Sequence, residues 1–275
     1  MFWIPDFAAA AADLLAADPT ADSAISARVA FLRSLAAGEP PDPDASWPDD
    51  LVVDEPERGL TTDPAAVADL LGASARWQEQ RKTKARVLDW IKVGSRAVVE
   101  AELELDHPRG PGERVPQPVA AVIEHSGRRV EVRVHASSWP LTGSNRMRPA
   151  RLPGGVALPA DNVGAYFSAL AAADADAVVA CFSQDASFRE PSGGPYIHHG
   201  RDDIGPFFAA FLGAVGGIGV DICTVVDDGV RCAVEYNALS WGDFRLTPQP
   251  GLGVYHRGPD GSLDAARVYD DIVGG

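Results

Sequence analysis

Apolar and polar positions along this chain run first at the period of helices, then at the period of strands, and then repeat the series. Residues 5–17 read as a short Ala/Leu amphipathic helix closed at Asp18-Pro19, because the residue before a proline is pushed out of the helical region. A second helix begins at Asp22 or Ser23, turns Ile25, Val29, Phe31, Leu32 and Leu35 towards a core, and ends at Gly38. Residues 39–46, EPPDPDAS, carry no period. Leu51 to Asp54 is an expected strand, and Asp63-Pro64 opens a helix through Leu71 to Trp77 with proline in its first turn. From Arg86 the period becomes two. Ala97, Val99, Ala101 and Leu103 share one face, while Val98, Glu100, Glu102 and Glu104 share the other. Val119 to Glu124 and Arg129 to Ala136 complete a meander.

After residues 140–160, a Pro- and Gly-rich stretch expected to be a linker, the series starts again. Asp161 caps a helix with Val163, Tyr166, Phe167 and Leu170 on one stripe, and Asp174 caps a short helix through Val178 to Phe182. The strand Ala186 to Glu190 and the loop PSGGPYIHHG follow, and Asp202 or Asp203 then caps a helix to Val215. Strands are expected at Val220–Val226, Val230–Leu239, Phe244–Leu246, Leu252–Arg257 and Ala265–Ile272. Each unit is thus helix, helix, strand, helix and curved antiparallel meander. This is an α+β cone whose mouth suits a ligand.

The residues themselves repeat. Asp50, Glu55 and Pro56 of WPDDLVVDEP stand 135 positions before Asp185, Glu190 and Pro191 of FSQDASFREP, and GSRAVVE from Gly94 matches GVRCAVE from Gly229 at the same offset. Pro116-Gln117-Pro118 matches Pro248-Gln249-Pro250 at 132. A period this long is a duplicated domain, since solenoid repeats span only about 20 to 50 residues. The expected domains are 1–139, with the 5–17 helix as an extra element, and 161–275.

Composition narrows the partners. The 275 residues are 46% hydrophobic and 23% charged, ordinary for a globular core. A net charge of −15 and a pI near 4.7 repel phosphate backbones and anionic membrane surfaces, so neither nucleic acid nor membrane is an expected partner. Cys181, Cys223 and Cys232 lie in apolar stretches without CxxC spacing. They read as core residues in a reducing cytoplasm, with no disulfide framework and no metal site. The start of the chain lacks a basic region ahead of its apolar run, which argues against a signal peptide, and no stretch has the roughly 18 apolar residues of a membrane span.

The run YFSALAAADADAVVACFSQDASFREPSGG resembles the nuclear transport factor 2-like superfamily, the group of SnoaL-like cyclases and ketosteroid isomerases. It carries that group's aromatic-x3-Leu, an acid before a short helix, Phe, Asp-Ala, and an acid-Pro with glycine beyond. The resemblance covers 161–273. It implies that Glu190 is a general base, that Tyr166 donates a hydrogen bond to a substrate carbonyl, and that no cofactor takes part. The second acid that ketosteroid isomerases use as a donor falls at Gly253 here, where no acid stands. In the first copy Tyr166 becomes Phe31, so only Glu55 survives and that half reads as structural. Fusion of the two copies is expected to turn a homodimer interface into an intrachain pseudo-dimer, which leaves both a monomer and further oligomerisation open.

Each candidate has a plain alternative. Tyr166 sits on an apolar stripe and also reads as a core aromatic, and the recurrence of Glu-Pro at Glu55 means that the turn itself accounts for part of the Glu190 signal. His198 and His199 are adjacent and diverge, which disfavours one shared metal, while His198 can reach a pocket mouth as a proton carrier. Tyr236, Trp241 and Phe211 serve either as packing or as a substrate surface. The expectation is a cofactor-independent, isomerase-like proton transfer on a small hydrophobic carbonyl compound, with Glu190 and Tyr166 catalytic and His198, Tyr236, Trp241 and Phe211 around the substrate. The alternatives are a dehydratase, a polyketide cyclase-like enzyme, and a non-catalytic binder or scaffold.

Overall fold

The computed structural model describes residues 2–17, 23–38, 51–127, 129–194 and 196–274, which form two compact units, Met1–Ala136 and Ser137–Gly275. The Asp18-Pro19 stop, the 39–46 corner and Trp47 to Asp50 lie outside the described residues. The first unit contains α1 (Pro5–Ala16), α2 (Ser23–Ala36), β1 (Leu51–Glu55), β2 (Gly59–Thr61), α3 (Pro64–Gln80), β3 (Lys84–Val93), β4 (Arg96–His107), β5 (Gly110–Ser126) and β6 (Arg129–His135). The second contains α4 (Trp139–Thr142), α5 (Asn162–Ala171), α6 (Ala175–Ala180), β7 (Phe182–Arg189), β8 (Ile197–His199), α7 (Arg201–Val215), β9 (Ile218–Asp227), β10 (Arg231–Trp241), β11 (Phe244–Arg257) and β12 (Leu263–Asp270).

Each unit holds one six-stranded sheet, ordered β2-β1-β6-β5-β4-β3 in the first and β8-β7-β12-β11-β10-β9 in the second. The orders are the same element for element. In both, the strand bearing the Glu-Pro end pairs in parallel with the last strand of its unit and every other pairing is antiparallel. Register agrees as well: Glu100 faces Ala120 across β4 and β5, and Glu235 faces Leu252 across β10 and β11. The tandem α+β architecture follows from these pairings.

Local chemistry sets the helix starts. Asp63, Asp161 and Asp174 each accept a backbone N–H of the first helical turn, at 2.9, 2.8 and 3.0 Å, satisfying a donor that has no partner inside the helix. α7 differs from expectation. Its N-cap is Gly200, and Asp203 instead accepts the His199 N–H at 3.0 Å. β7 begins at Phe182, and Phe244 to Arg257 is one long strand in place of two. Both Pro-Gln-Pro runs lie where a long strand extends past its shorter neighbour and is paired on one side only, so the missing proline N–H groups cost no ladder bonds.

Residues 140–160, the expected linker, run as a strap over the second unit. Ala150 N–H donates to Pro248 O at 2.9 Å, Val156 N–H to Ile222 O at 3.0 Å, and Asn237 Nδ2 to Leu152 O at 2.9 Å. A Cβ at Gly154 would overlap the Asp221 carboxylate, so close approach of backbone to sheet requires glycine there. The side chain of Gln249, inside the second Pro-Gln-Pro, pairs with both the N–H and the C=O of Val273 and ties down the C-terminal tail.

In the first unit, α1 packs against α2 and strands β4, β5 and β6, and its lead-in residues reach α3. Phe2, Trp3, Ile4, Phe7, Leu14 and Leu15 are all buried, and the Trp3 carbonyl accepts from Ser74 and Gln78 on α3. An element absent from the second copy therefore fills the space between helices and sheet. Cys181, Cys223 and Cys232 are free thiols, and burial pushes Cys232 up to about 12. No helix among the described residues is long and apolar enough to cross a membrane.

Candidate active site

In the second unit the corresponding space between helices and sheet is open. A cavity of about 210 Å³ is walled by Tyr166 and Phe167 of α5, Phe188 of β7, Phe207, Phe208 and Phe211 of α7, Tyr236 and Trp241 of β10, Tyr255 of β11, and Val268 and Asp270 of β12. Asn145 of the strap and Ile272 of the tail also line it, joined by a 2.8 Å bond from Asn145 Nδ2 to the Ile272 carbonyl. The lining is mostly apolar and rich in aromatic rings. Among the described residues its carboxyl groups are Glu190 and Asp270, and it contains no Lys, Arg or His.

Glu190 stands just past the end of β7, where the loop turns. Its N–H donates to Tyr196 O and its C=O accepts from Gly193 N–H, both at 3.0 Å, while Gly193 and Gly194 take φ of 59° and 53°. The Pro-Ser-Gly-Gly sequence makes this turn, because glycine adopts positive φ without steric cost. The turn aims the carboxylate at the cavity. Glu190 Oε1 lies 2.8 Å from His198 Nε2, and the imidazole stacks on Phe207 with ring centroids 4.3 Å apart. His198 does not line the cavity; it stands behind Glu190, with its Nδ1 3.7 Å from Asp203 Oδ2.

On β12 the inward alternation of Ala266 and Val268 continues to Asp270. The Tyr236 hydroxyl donates to Asp270 Oδ2 at 2.7 Å. Burial, opposed by that hydrogen bond and reinforced by the neighbouring Asp271, raises the Asp270 carboxyl to about 6. Burial first, and the Asp270 charge nearby, also hold the Tyr166 and Tyr236 phenols above their ordinary value; burial and Tyr166 do the same for Tyr255. All three are proton-bearing donors at neutral pH.

Among the described residues nothing hydrogen-bonds the hydroxyl of Tyr166 or of Tyr255, although both residues are buried and both line the cavity. Buried hydroxyls are usually paired, so these two are suited to an acceptor atom on a ligand. Gly253, which stands at the position of the second acid of ketosteroid isomerases, has no room for one. A Cβ there would collide with the Tyr255 hydroxyl, which occupies that place itself. A donor stands where the sequence showed none.

Residues 163–263 match the SnoaL-like domain family. The second unit is a SnoaL-like domain. Among solved structures, a candidate polyketide cyclase from Sinorhizobium meliloti is 22% identical, covering 40% of this chain and 94% of its own, with a TM-score of 0.34. The epoxide hydrolase/cyclase-like enzyme SalBIII, of pyran ring formation in the polyether salinomycin, is 23% identical over 40% of this chain and 87% of its own, TM-score 0.34. A SnoaL-like protein of unknown function from Burkholderia thailandensis is 17% identical over 40% and 90%, TM-score 0.33. No curated protein matches the chain.

The SnoaL-like domain thus brings Tyr166, Glu190, Tyr236, Trp241 and Phe211 to one cavity and sets His198 against Glu190. Sequence reasoning missed Asp270 and Tyr255. A signal existed for Asp270, since alternation from Ala266 puts it on the apolar face, where an acid is out of place. Strand registers give the counterparts in the first unit: Ala101 for Tyr236, Ile123 for Tyr255 and Ala136 for Asp270. Glu55 remains, 1% exposed, but its carboxylate accepts the Arg58 N–H and closes the β1–β2 turn.

Proposed function

We propose that the SnoaL-like domain catalyses proton transfer on a small, uncharged, hydrophobic carbonyl compound, with no cofactor. The observation carrying this reading is that Tyr166 and Glu190 open on the same apolar cavity. Glu190 takes a proton from the carbon beside the carbonyl, and the Tyr166 hydroxyl, with Tyr255 beside it, holds the oxygen as negative charge builds there. A lining with two carboxyl groups and no cation disfavours anionic substrates. Size narrows the class: engineered cavities of about 150 Å³ hold one benzene, so about 210 Å³ suits one or two rings and not a four-ring steroid.

Asp270 supports a second reading. A carboxyl that carries its proton to about pH 6 can protonate a leaving hydroxyl or a closing ring, which is dehydratase or cyclase chemistry on the same substrate class. Incubating the protein with a monocyclic β,γ-unsaturated ketone and following near-ultraviolet absorbance tests the first reading. Conversion to the conjugated isomer, lost in Glu190→Gln, is expected. A substrate β-hydroxy ketone that loses water only when Asp270 is present would favour the second, and thermal stabilisation by such ketones without turnover would leave a binding protein.

A further inference from the structure

Proton transfer at Glu190 leaves the fate of the proton open, and the groups behind the carboxylate answer it. Glu190, which lines the cavity, is partly screened, its side chain 24% exposed, and His198 behind it is 18% exposed. The imidazole is fixed on three sides. Phe207 stacks on it at 29°, Phe188 lies 6.1 Å away on the paired strand, and Nε2 meets Glu190 at 2.8 Å. The remaining nitrogen, Nδ1, faces Asp203, whose side chain is 57% exposed and whose carboxylate is held in place by the His199 N–H. The order from cavity to solvent is carboxylate, imidazole, carboxylate.

We propose that Glu190, His198 and Asp203 form a proton relay between the cavity and solvent, with His198 acting through Glu190 and never touching the substrate. The relay rests on the reading of Glu190 as the base. In it, a substrate C–H bond breaks and an O–H bond forms on Glu190. That O–H then breaks as Nε2–H forms on His198, and Nδ1–H breaks as its proton passes to Asp203 or to the water around it. Glu190 is returned ionised and His198 is left with its proton on Nε2. Delivery of a solvent proton to the γ-carbon runs the same steps backwards, Nδ1 gaining a proton as Nε2–H breaks and Glu190 passes its own to carbon, which restores the starting tautomer. An imidazole suits the task because its two nitrogens accept and release protons on opposite sides of the ring. The consequence reaches the reaction class. A base sealed from water must return the same proton to the substrate, whereas a base joined to solvent serves reactions with a net loss or gain of a proton.

The test uses cyclohex-3-enone in heavy water with the full chain. The parent is expected to give conjugated product carrying solvent deuterium at the γ-carbon. His198→Phe keeps an aromatic ring between Phe188 and Phe207, and is expected to lose that label, returning the substrate's own hydrogen. Added imidazole is expected to restore the label. Product from the parent that retains the substrate hydrogen, or full label in His198→Phe, overturns the relay. A second arm needs no turnover: magnetisation transfer from water to the His198 ring N–H by NMR, expected to be ready in the parent and slowed in Asp203→Asn. Equal exchange in both overturns the relay as well. Ready exchange slowed by Asp203→Asn, with no conversion of the ketone by the parent, supports the relay and places the failure in the reading of Glu190 as base.

Discussion

In the first unit the Glu-Pro carboxylate is folded back onto its own turn, and α1 packs between the helices and strands β4, β5 and β6; in the second the carboxylate at the same position faces outward from its turn into a cavity and meets a histidine. The two sheets share strand order and the register of their long strands, but the turn after the glutamate is two residues longer in the second unit, where Arg189 pairs with Ile197 while Asp54 pairs with Leu60 in the first. A further difference lies in what each strand turns inward. Ala101, Ile123 and Ala136 make one apolar wall, and Tyr236, Tyr255 and Asp270 make the other polar at a few points. A fold motif and a reactive group are therefore separable here. Glu-Pro belongs to the fold, and the tyrosines and Asp270 belong to the site.

The sharpest way to break this contrast is to remove each carboxylate in turn. Glu190→Gln is expected to slow ketone isomerisation by about 10²- to 10⁴-fold, the usual worth of a general base, whereas Glu55→Gln leaves the rate unchanged. Its amide oxygen still accepts the Arg58 N–H, so stability moves by no more than about 1 kcal/mol. Steady-state rates and urea unfolding of both variants decide it, and an equal loss of rate in the two would place chemistry in the first unit. The filled space gives the next effect. Phe7 is fully buried in α1, and Phe7→Ala is expected to cost about 3–5 kcal/mol. Hydrogen exchange read by mass spectrometry should place that loss in the first unit and leave protection of β10 and β12 intact.

How much of this was legible beforehand follows from which interactions are local. The duplication, the helix caps and the alternation of β4 are written in short windows, and the Glu190–Tyr166 pair was reachable because each belongs to a recognisable run. For Asp270 the alternation from Ala266 marks only its face; its partner, a hydroxyl 34 positions away on another strand, leaves no local trace. The strap was read as a linker since it has no period. Its long bonds, from backbone and side chains alike, reach partners 66 to 127 positions away, and such separations leave no local pattern. The 5–17 helix was legible as a helix, yet nothing in it tells that it fills its own unit's cavity.

Asp270 supplies the third test. The folded protein holds this proton up to about pH 6, while the unfolded chain releases it near 3.8. The stability this group adds is full below the unfolded value and is lost as pH rises through 6, a difference of about 3 kcal/mol at most. Asp270→Asn cannot ionise, so it should be more stable than the parent above pH 6 and should show a flatter dependence between pH 4 and 7. The same replacement at Asp260, whose value is lowered by its bonds to Ser262, should leave the fall between pH 4 and 7 intact. Thermal unfolding across that pH range measures both. A parallel fall in the parent and Asp270→Asn would mean that another group governs the acid side.

The smallest effect tests the hydroxyls that most distinguish the second unit from the first. Removing a single donor to a developing oxyanion costs about 10²- to 10³-fold where no other group can replace it. Here Tyr166 and Tyr255 stand with ring centroids 5.3 Å apart, and neither hydroxyl is bonded within the described residues. Either one can hold the substrate oxygen when the other is lost. Tyr166→Phe, which restores the residue type of Phe31, and Tyr255→Phe should therefore each lower the rate only about tenfold, roughly the net worth of one hydrogen bond. The double variant should fall by clearly more than the product of the two, because the second loss leaves the oxygen without a donor. A double-mutant cycle on kcat/KM reads the coupling directly. Strict multiplicativity would mean that the two hydroxyls act on different atoms of the ligand, and Tyr255 would then be a specificity contact and not the donor that stands in for an acid at Gly253.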